Sequence, residues 1–472
     1  MKNYLLLATA LTGCLATAQN IFAQDERPKM IATFYFTQEI PGIVQAVSDN
    51  GRYAVGYDEL TTNASFIWDR ETKEFVDVFG VDEEGNMAQG YSCALQDVAD
   101  DGTAVGYYQD ATLGIVPGIY KDGTWTPLPT LVEKNSAAVS AMCISPDGSL
   151  IGGQVSGHIA TSDALPGQTI ETGGATVPVL WRDGMIERID TITYLGQGCR
   201  INDMSPDGTM MCGWAEWDDG TRSPAVWKDG KMVRLIGTEP AISNPDKWEE
   251  FYEGQLYCFS RDLTQVGGYF SASQYSMEGI LWTIPEDFSQ ENATDESVQI
   301  VETALTAGGN DGKFFGGGLL GGGGTVYYDG GVTSLMSYYR MMFDLTTEGN
   351  TASPAAINDV DAEERTFASS YVVSAMGGAI QCPLVICFDE DETGIGQTAA
   401  NGEAVLHYAD NVLSVEGLYN EVAVYSLNGN RMLQAGAGAD SGNLDLGQLG
   451  AGVYIVKVTG KNYAKIQKVI VK

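Results

Sequence analysis

A unit recurring about every 50 residues constrains this chain more than any other feature of its 472 residues. Its first half is a short apolar run, a Ser/Asp/Asn/Gly turn and a second run ending in glycine. The copies are Ser48-Asp49-Asn50-Gly51 leading to Gly56, Asp100-Asp101-Gly102 to Gly106, Ser145-Pro146-Asp147-Gly148 to Gly153, and Ser205-Pro206-Asp207-Gly208 to Gly213. Ser260-Arg261-Asp262 leading to Gly268 is a fifth, and weaker copies surround Asn310-Asp311-Gly312 and Val360-Asp361-Ala362, which makes seven.

The second half of each unit closes on an aromatic residue and usually another turn: Trp68, Tyr120 before Asp122-Gly123, Trp181 before Asp183-Gly184, Trp227 before Asp229-Gly230, Trp282, Tyr328 before Asp329-Gly330, and Phe388. Each unit therefore supplies four short strands joined by Asp-Gly hairpin signals. Four strands in each of seven units predict an all-β chain, a seven-bladed β-propeller over residues 30–390, in which every blade buries its faces against its neighbours. The extended residues 30–37 precede the first unit and are expected to close the ring by pairing into the last blade. An α-solenoid is excluded, because no unit carries a ten-residue helical period free of Gly or Asp-Gly breaks.

The V-S-x-D-G, V-G-Y and W-x-D-G pattern resembles the extracellular HAF repeats and, more loosely, Ser-Pro-Asp-Gly propellers of the TolB type. Units six and seven depart from it by lacking a clean Ser-x-Asp-Gly turn, and unit three by an insertion over residues 156–176. The resemblance implies fold and is nearly silent on function, since one fold hosts many activities.

Composition narrows the partners. With 62 Asp and Glu against 26 Lys and Arg, the formal net charge is −36, and nucleic acid is excluded as a natural ligand, because phosphate backbones are held by clustered Lys and Arg. Residues 1–24 carry Lys2, an apolar stretch and small-residue sites at Ala16-Thr17-Ala18 and Ile21-Phe22-Ala23, which reads as a secretory signal peptide. As an alternative, Leu11-Thr12-Gly13-Cys14 resembles a bacterial lipobox, in which Cys14 would be acylated. No segment is long and apolar enough for a transmembrane helix. Beyond Cys14 the seven cysteines lack metal-ligand spacing, and Cys93 with Cys199, and Cys143 with Cys258, fall at equivalent repeat positions, which points to small buried hydrophobes over disulfides.

Charge changes abruptly after Asp389-Glu390-Asp391-Glu392. From Ile395 to the end there are six acids (Glu403, Asp410, Glu416, Glu421, Asp440, Asp445) and six bases (Arg431, Lys457, Lys461, Lys465, Lys468, Lys472). This marks residues 391–400 as a linker and 401–472 as a separate domain, whose short strands and Asn428-Gly429 and Gly450-Ala451-Gly452 turns predict a small Ig-like β-sandwich. The run Val424-Tyr425-Ser426-Leu427-Asn428-Gly429, then Gly452-Val453-Tyr454-Ile455-Val456 and the basic end with Lys468 and Lys472, resembles the type A sorting domain of type IX secretion cargo, the Por secretion tail. That resemblance implies the type IX secretion machinery as a partner, passage through the periplasm of a Gram-negative bacterium, cleavage near residues 394–400, and a body released or displayed at the outer-membrane surface.

No catalytic constellation emerges. His158 and His407 are the only histidines, and neither lies near a nucleophile motif. Paired carboxylates are uninformative among 62 acids, the acidic run Asp359 to Glu364 lacks calcium-loop spacing, and the glycines of 316–324 lack the Gly-Lys-Ser/Thr of a phosphate loop. The chain is accordingly expected not to be an enzyme and to need no metal or cofactor. The residue after the second-run glycine is aromatic in four units, Tyr57, Tyr107, Trp214 and Tyr269. Equivalent positions of a propeller lie on a ring, so these side chains either line one face as a ligand platform or pack between blades. The expected function is a binding or scaffold protein for a glycan or protein; a propeller glycosidase or polysaccharide lyase and a surface-layer component are the alternatives.

Overall fold

Asp-Gly pairs make the outer hairpins because both residues take left-handed backbone angles. Asp122 has φ 49° and Gly123 φ 81°, and Asp183-Gly184 and Asp329-Gly330 repeat the pair; two positive φ values in a two-residue loop match the right-handed twist of the flanking strands. The inner hairpins use the other turn. In Ser205-Pro206-Asp207-Gly208 the buried Ser205 hydroxyl donates to Asp207 Oδ1 at 2.7 Å and accepts the Met210 N–H at 3.0 Å, while Gly208 sits at φ 71°. Units five and seven place Leu263 (φ 60°) and Glu364 (φ 57°) at the left-handed position that glycine fills in the others.

The computed structural model describes residues 28–37, 40–58, 64–132, 139–156, 176–189, 198–216, 222–229, 231–235, 253–273, 276–289, 297–317, 323–375, 378–390, 405–409, 411–416, 421–426, 431–436, 441–459 and 464–471. They divide into two compact units, Met1–Asp389 and Glu390–Lys472. The first is a seven-bladed β-propeller of six four-stranded sheets and one five-stranded sheet. Blade 1 is Ile43–Val47, Tyr53–Tyr57, Ser65–Asp69 and Glu74–Val78, paired antiparallel in chain order. The innermost strands of blades 2 to 7 are Cys93–Val98, Ser140–Ile144, Cys199–Met204, Glu253–Phe259, Ala304–Gly308 and Ile357–Val360. Trp68, Trp181, Trp227 and Trp282, on the third strands of blades 1, 3, 4 and 5, are almost wholly buried. Apolar clusters join neighbouring blades, as where Ala99 and Val105 pack with Ile151, Val179 and Trp181.

The N-terminal strand Lys29–Phe36 closes the ring as expected, beside Gly378–Glu390 of blade 7, with Met30, Ala32 and Phe34 turned into the core. The sequence reading omitted two neighbours of this seam. The strand Asp344–Glu348 pairs parallel to Lys29–Phe36, from Lys29 opposite Asp344 to Thr33 opposite Glu348. A helix over Leu335–Met342, capped by Ser334, buries Leu335, Tyr338 and Tyr339, and Tyr339 stacks on Phe388 with ring centroids 3.8 Å apart.

The second unit is a two-sheet sandwich. Three strands, Val405–Ala409, Val412–Glu416 and Ser441–Asp445, form one sheet, and Glu421–Ser426, Arg431–Gly436, Gly452–Thr459 and Ala464–Val471 form the other. Its core includes Leu413, Val424, Leu446, Val456, Val458 and Val469. All seven cysteines from Cys93 to Cys387 are free and buried. No helix among the described residues is long and apolar enough to cross a membrane.

Candidate functional site: the central channel

Every innermost strand carries a β-bulge at the same place. The ladder slips between Val44 and Ala46, Leu95 and Asp97, Ala141 and Cys143, Ile201 and Asp203, Leu256 and Cys258, Leu305 and Ala307, and Ile357 and Asp359. A bulge re-aims the skipped side chain. Here the skipped residues are Gln45, Gln96, Met142, Asn202, Tyr257, Thr306 and Asn358, and all of them line one cavity of about 1380 Å³ to which every blade contributes. Several also tie blade to blade: Asn202 Nδ2 donates to Leu256 O at 2.6 Å and Asn358 Nδ2 to Val44 O at 2.7 Å.

The position after the bulge is occupied around the ring by Ala46, Asp97, Cys143, Asp203, Cys258, Ala307 and Asp359. No two carboxylates stand in adjacent blades. Each accepts an N–H from the following blade, Asp97 from Ile144 at 2.7 Å, Asp203 from Phe259 at 3.0 Å and Asp359 from Val47 at 2.9 Å, and Asp97 and Asp203 also accept the N–H of their own next residue, Val98 at 2.8 Å and Met204 at 2.7 Å. Burial pushes the Asp203 carboxyl up to about 6 and Asp359 up to about 7, against the backbone donors that favour the ionised form, and it raises Asp97 well above the ordinary carboxylate range.

The two mouths differ. At the end bearing the inner hairpins, Arg261 stands where Pro146 and Pro206 stand in the Ser-Pro-Asp-Gly turns. Its guanidinium reaches from blade 5 to the Asp49 carboxylate of blade 1 and the Val360 carbonyl of blade 7, so one side chain spans that mouth. At the other end the second strands leave the channel at Tyr57, Tyr107, Gln154 and Tyr269, all of which line the cavity. Tyr269 stacks on Tyr257 with centroids 5.7 Å apart, and Gln255 Nε2 donates to both phenolic oxygens at 3.0 Å.

Of the four aromatic residues singled out by the repeat, Tyr57, Tyr107 and Tyr269 share this mouth, and Trp214 does not. It is 6% exposed, lies under the guanidiniums of Arg200 and Arg222 at 5.8 and 4.6 Å from its ring centroid, and occupies space that the missing side chain of Gly198 leaves open, where a Cβ would meet the indole at 3.2 Å. Sequence reasoning missed Arg200, which lines the channel in its place. Among the described residues no group of His, Cys, Asp and Glu forms a metal-ligand cluster. His158 lies outside the described residues.

In the tail, Gly452 opens its strand opposite Val471, Lys468 stands opposite Ile455, and the Tyr454 hydroxyl donates to Gly450 O at 2.8 Å. Gly429 and Lys472 lie outside the described residues, as does the signal peptide expected over residues 1–24.

No curated protein matches the chain. Solved structures similar to it include an Agrobacterium tumefaciens protein assigned as TolB, at 12% identity over 59% of this chain and 89% of that one, TM-score 0.35. A prolyl endopeptidase matches at 12% identity over 90% of this chain and 55% of its own length, TM-score 0.43, and a gluconolactonase from Xanthomonas campestris at 14% over 74% and 88%, TM-score 0.32. These neighbours correct the expectation that the chain is not an enzyme. Enzymes are among the proteins with similar structures, and a propeller carries its sites on strand ends and loops that leave no short motif, so the missing motif decides nothing; an enzyme role is not established either. Residues 400–472 match the family described as the secretion system C-terminal sorting domain, the Por secretion tail, which makes this a β-propeller carrying a sorting tail for type IX secretion.

Proposed function

We propose that this protein is an exported, surface-displayed propeller that binds a glycan at the tyrosine-lined mouth of its channel. In this reading residues 1–24 are removed as a signal peptide, the HAF-type units of residues 30–390 form the working body, and residues 391–400 link it to a tail that engages the type IX secretion machinery. The observation that carries the reading is the convergence of Tyr57, Tyr107 and Tyr269 on one mouth of a cavity of about 1380 Å³. Flat aromatic faces stack on the C–H faces of sugar rings, and the amides Gln45, Gln96 and Gln154 that line the same cavity carry donors and acceptors suited to hydroxyls. The opposite mouth is spanned by Arg261, which favours entry at the tyrosine end.

Two measurements test this. Terminal mass spectrometry of fractionated cells is expected to find a body at the surface or in the medium, beginning near Gln19 or Gln24 and ending before about Ala400; an intact Lys472 retained in the periplasm overturns the export reading. Titration of the secreted protein with a panel of soluble polysaccharides is expected to find a ligand whose binding is lost in Tyr107→Ala and Tyr269→Ala at unchanged melting temperature. Binding that survives both substitutions overturns the channel as the site.

A further inference from the structure

We infer that the ligand of the channel mouth is a carboxylate-bearing sugar whose acid group is held by Arg200. The inference rests on the channel being the binding site and adds the chemical class of what enters it.

The chain has 62 acids against 26 bases, so a cation with no acid beside it is an unusual local choice. Arg200 is one. Among the described residues no carboxylate lies within ion-pair distance of it, and its polar partners are neutral amides: Nε donates to Asn202 Oδ1 at 2.7 Å and one terminal nitrogen to Gln255 Oε1 at 2.6 Å. A guanidinium has five N–H donors. Three of them therefore meet no acceptor among the described residues, in a side chain that lines the cavity. Burial and the neighbouring Arg222 both disfavour its charge, and an arginine does not discharge in proteins; the Trp214 ring at 5.8 Å offsets part of that cost, and an anion in the channel relieves the rest.

The surroundings fix the orientation and favour a sugar over other acids. Asn202, a bulge residue, and Gln255 clamp the guanidinium from two sides, and Gln255 in turn is held by the hydroxyls of Tyr257 and Tyr269. The fork is thus pre-aimed, and planar carboxylates are the anions it matches with two parallel hydrogen bonds. The stacked pair Tyr257 and Tyr269 stands on the same network, so an acid group on Arg200 brings the attached ring to an aromatic wall. The net charge of −36 repels such a ligand at long range, but surface charges are screened beyond about 8 Å at physiological ionic strength, and a contact inside the channel is screened much less.

The test is calorimetric titration of the full secreted protein with trigalacturonate, with sialyllactose, with the carboxyl-reduced trisaccharide and with hexaglutamate. The expected result is binding of trigalacturonate or sialyllactose, the difference between them identifying which acidic sugar fits. Binding of the reduced trisaccharide and of hexaglutamate is expected to be weaker by about tenfold or more, the loss of a charge-assisted hydrogen-bond pair. Arg200→Met should weaken the acidic sugar by a similar factor and the reduced one less than about twofold. If Arg200→Met does not fold, Arg200→Lys keeps the charge without the fork and is expected to lose most of the affinity. Equal binding of acidic and reduced sugars, with Tyr107→Ala still abolishing both, overturns the carboxylate inference and leaves the channel reading standing. Preference for hexaglutamate, or binding to none of the probes, overturns the inference outright.

Discussion

The Asp203 carboxylate of blade 4 accepts the backbone N–H of Phe259 in blade 5 at 3.0 Å, and so holds two inner strands together beside the channel. Asp97 and Asp359 do the same for blades 2 to 3 and 7 to 1. Burial raises all three above the value of about 3.9 that an unfolded chain shows. The folded state therefore keeps protons that the unfolded state releases, and these groups contribute less stability as pH climbs from about 4 through 7. The turn carboxylates Asp147, Asp207 and Asp262 are held low by hydroxyl and N–H donors, so their contribution is present at neutral pH and fades as pH falls through the acid range. A melting-temperature profile should peak near pH 5 and fall by about 2–4 °C by pH 8. In Asp203→Asn one backbone donor faces an amide N–H₂ at every pH, so the gap from the parent protein should be smaller at pH 8 than at pH 5. A flat or rising profile between pH 5 and 8 contradicts this account.

Ser205 is buried and both donates to Asp207 and accepts the Met210 N–H. Replacing it by alanine leaves a buried N–H unpaired, and urea unfolding should register a loss of about 1–3 kcal/mol. Gly208→Ala meets two obstacles, a left-handed φ of 71° and a Cβ contact at 3.1 Å with Leu150; about 1–2 kcal/mol is expected. Losses under about 0.5 kcal/mol for both would mean that these turns are ornamental to the blades.

Trp214 and Tyr107 hold equivalent repeat positions and should respond oppositely. Truncating the buried indole to alanine is expected to cost about 3–5 kcal/mol, whereas Tyr107→Ala at the channel mouth should stay within about 1 kcal/mol and act on binding. Thermal unfolding of the two variants side by side decides it, and similar losses would return Tyr107 to the packing between blades.

This contrast marks where the sequence stops being readable. Turns are written in residue type, because Asp-Gly pairs and Ser-x-Asp-Gly runs answer local backbone demands, and they carried the blade count. The bulges are written in register: Gln45, Met142, Tyr257 and Thr306 share a place in the ladder and no chemistry. Whether an aromatic turns inward depended on a distant vacancy, Gly198, that no repeat pattern announces. Arg200 escaped for the same reason, since its role follows from what does not stand beside it. The helix Leu335–Met342 has eight residues, too few to show a ten-residue helical period.

The closing strand offers a last stability test. Ala32 is wholly buried between its neighbours on blade 7. Ala32→Asp places an unpaired charge there and should cost more than about 4 kcal/mol, enough to open the ring. Lys29→Glu, at the exposed start of the same strand, should change stability by less than about 0.5 kcal/mol. Limited proteolysis after residue 37 reads the difference directly, and equal resistance of the two variants would refute closure by this strand.

Because Gly378–Glu390 runs between Lys29–Phe36 and Thr366–Ala375, the chain leaves the propeller from the middle of a sheet and not from its edge. A pull applied to the chain beyond Glu390 would load both flanks of that strand at once. Ladders loaded along their length must break together, whereas an edge strand unzips one bond at a time. The seam that closes the ring is thereby also where the chain leaves the propeller, in the five-stranded sheet.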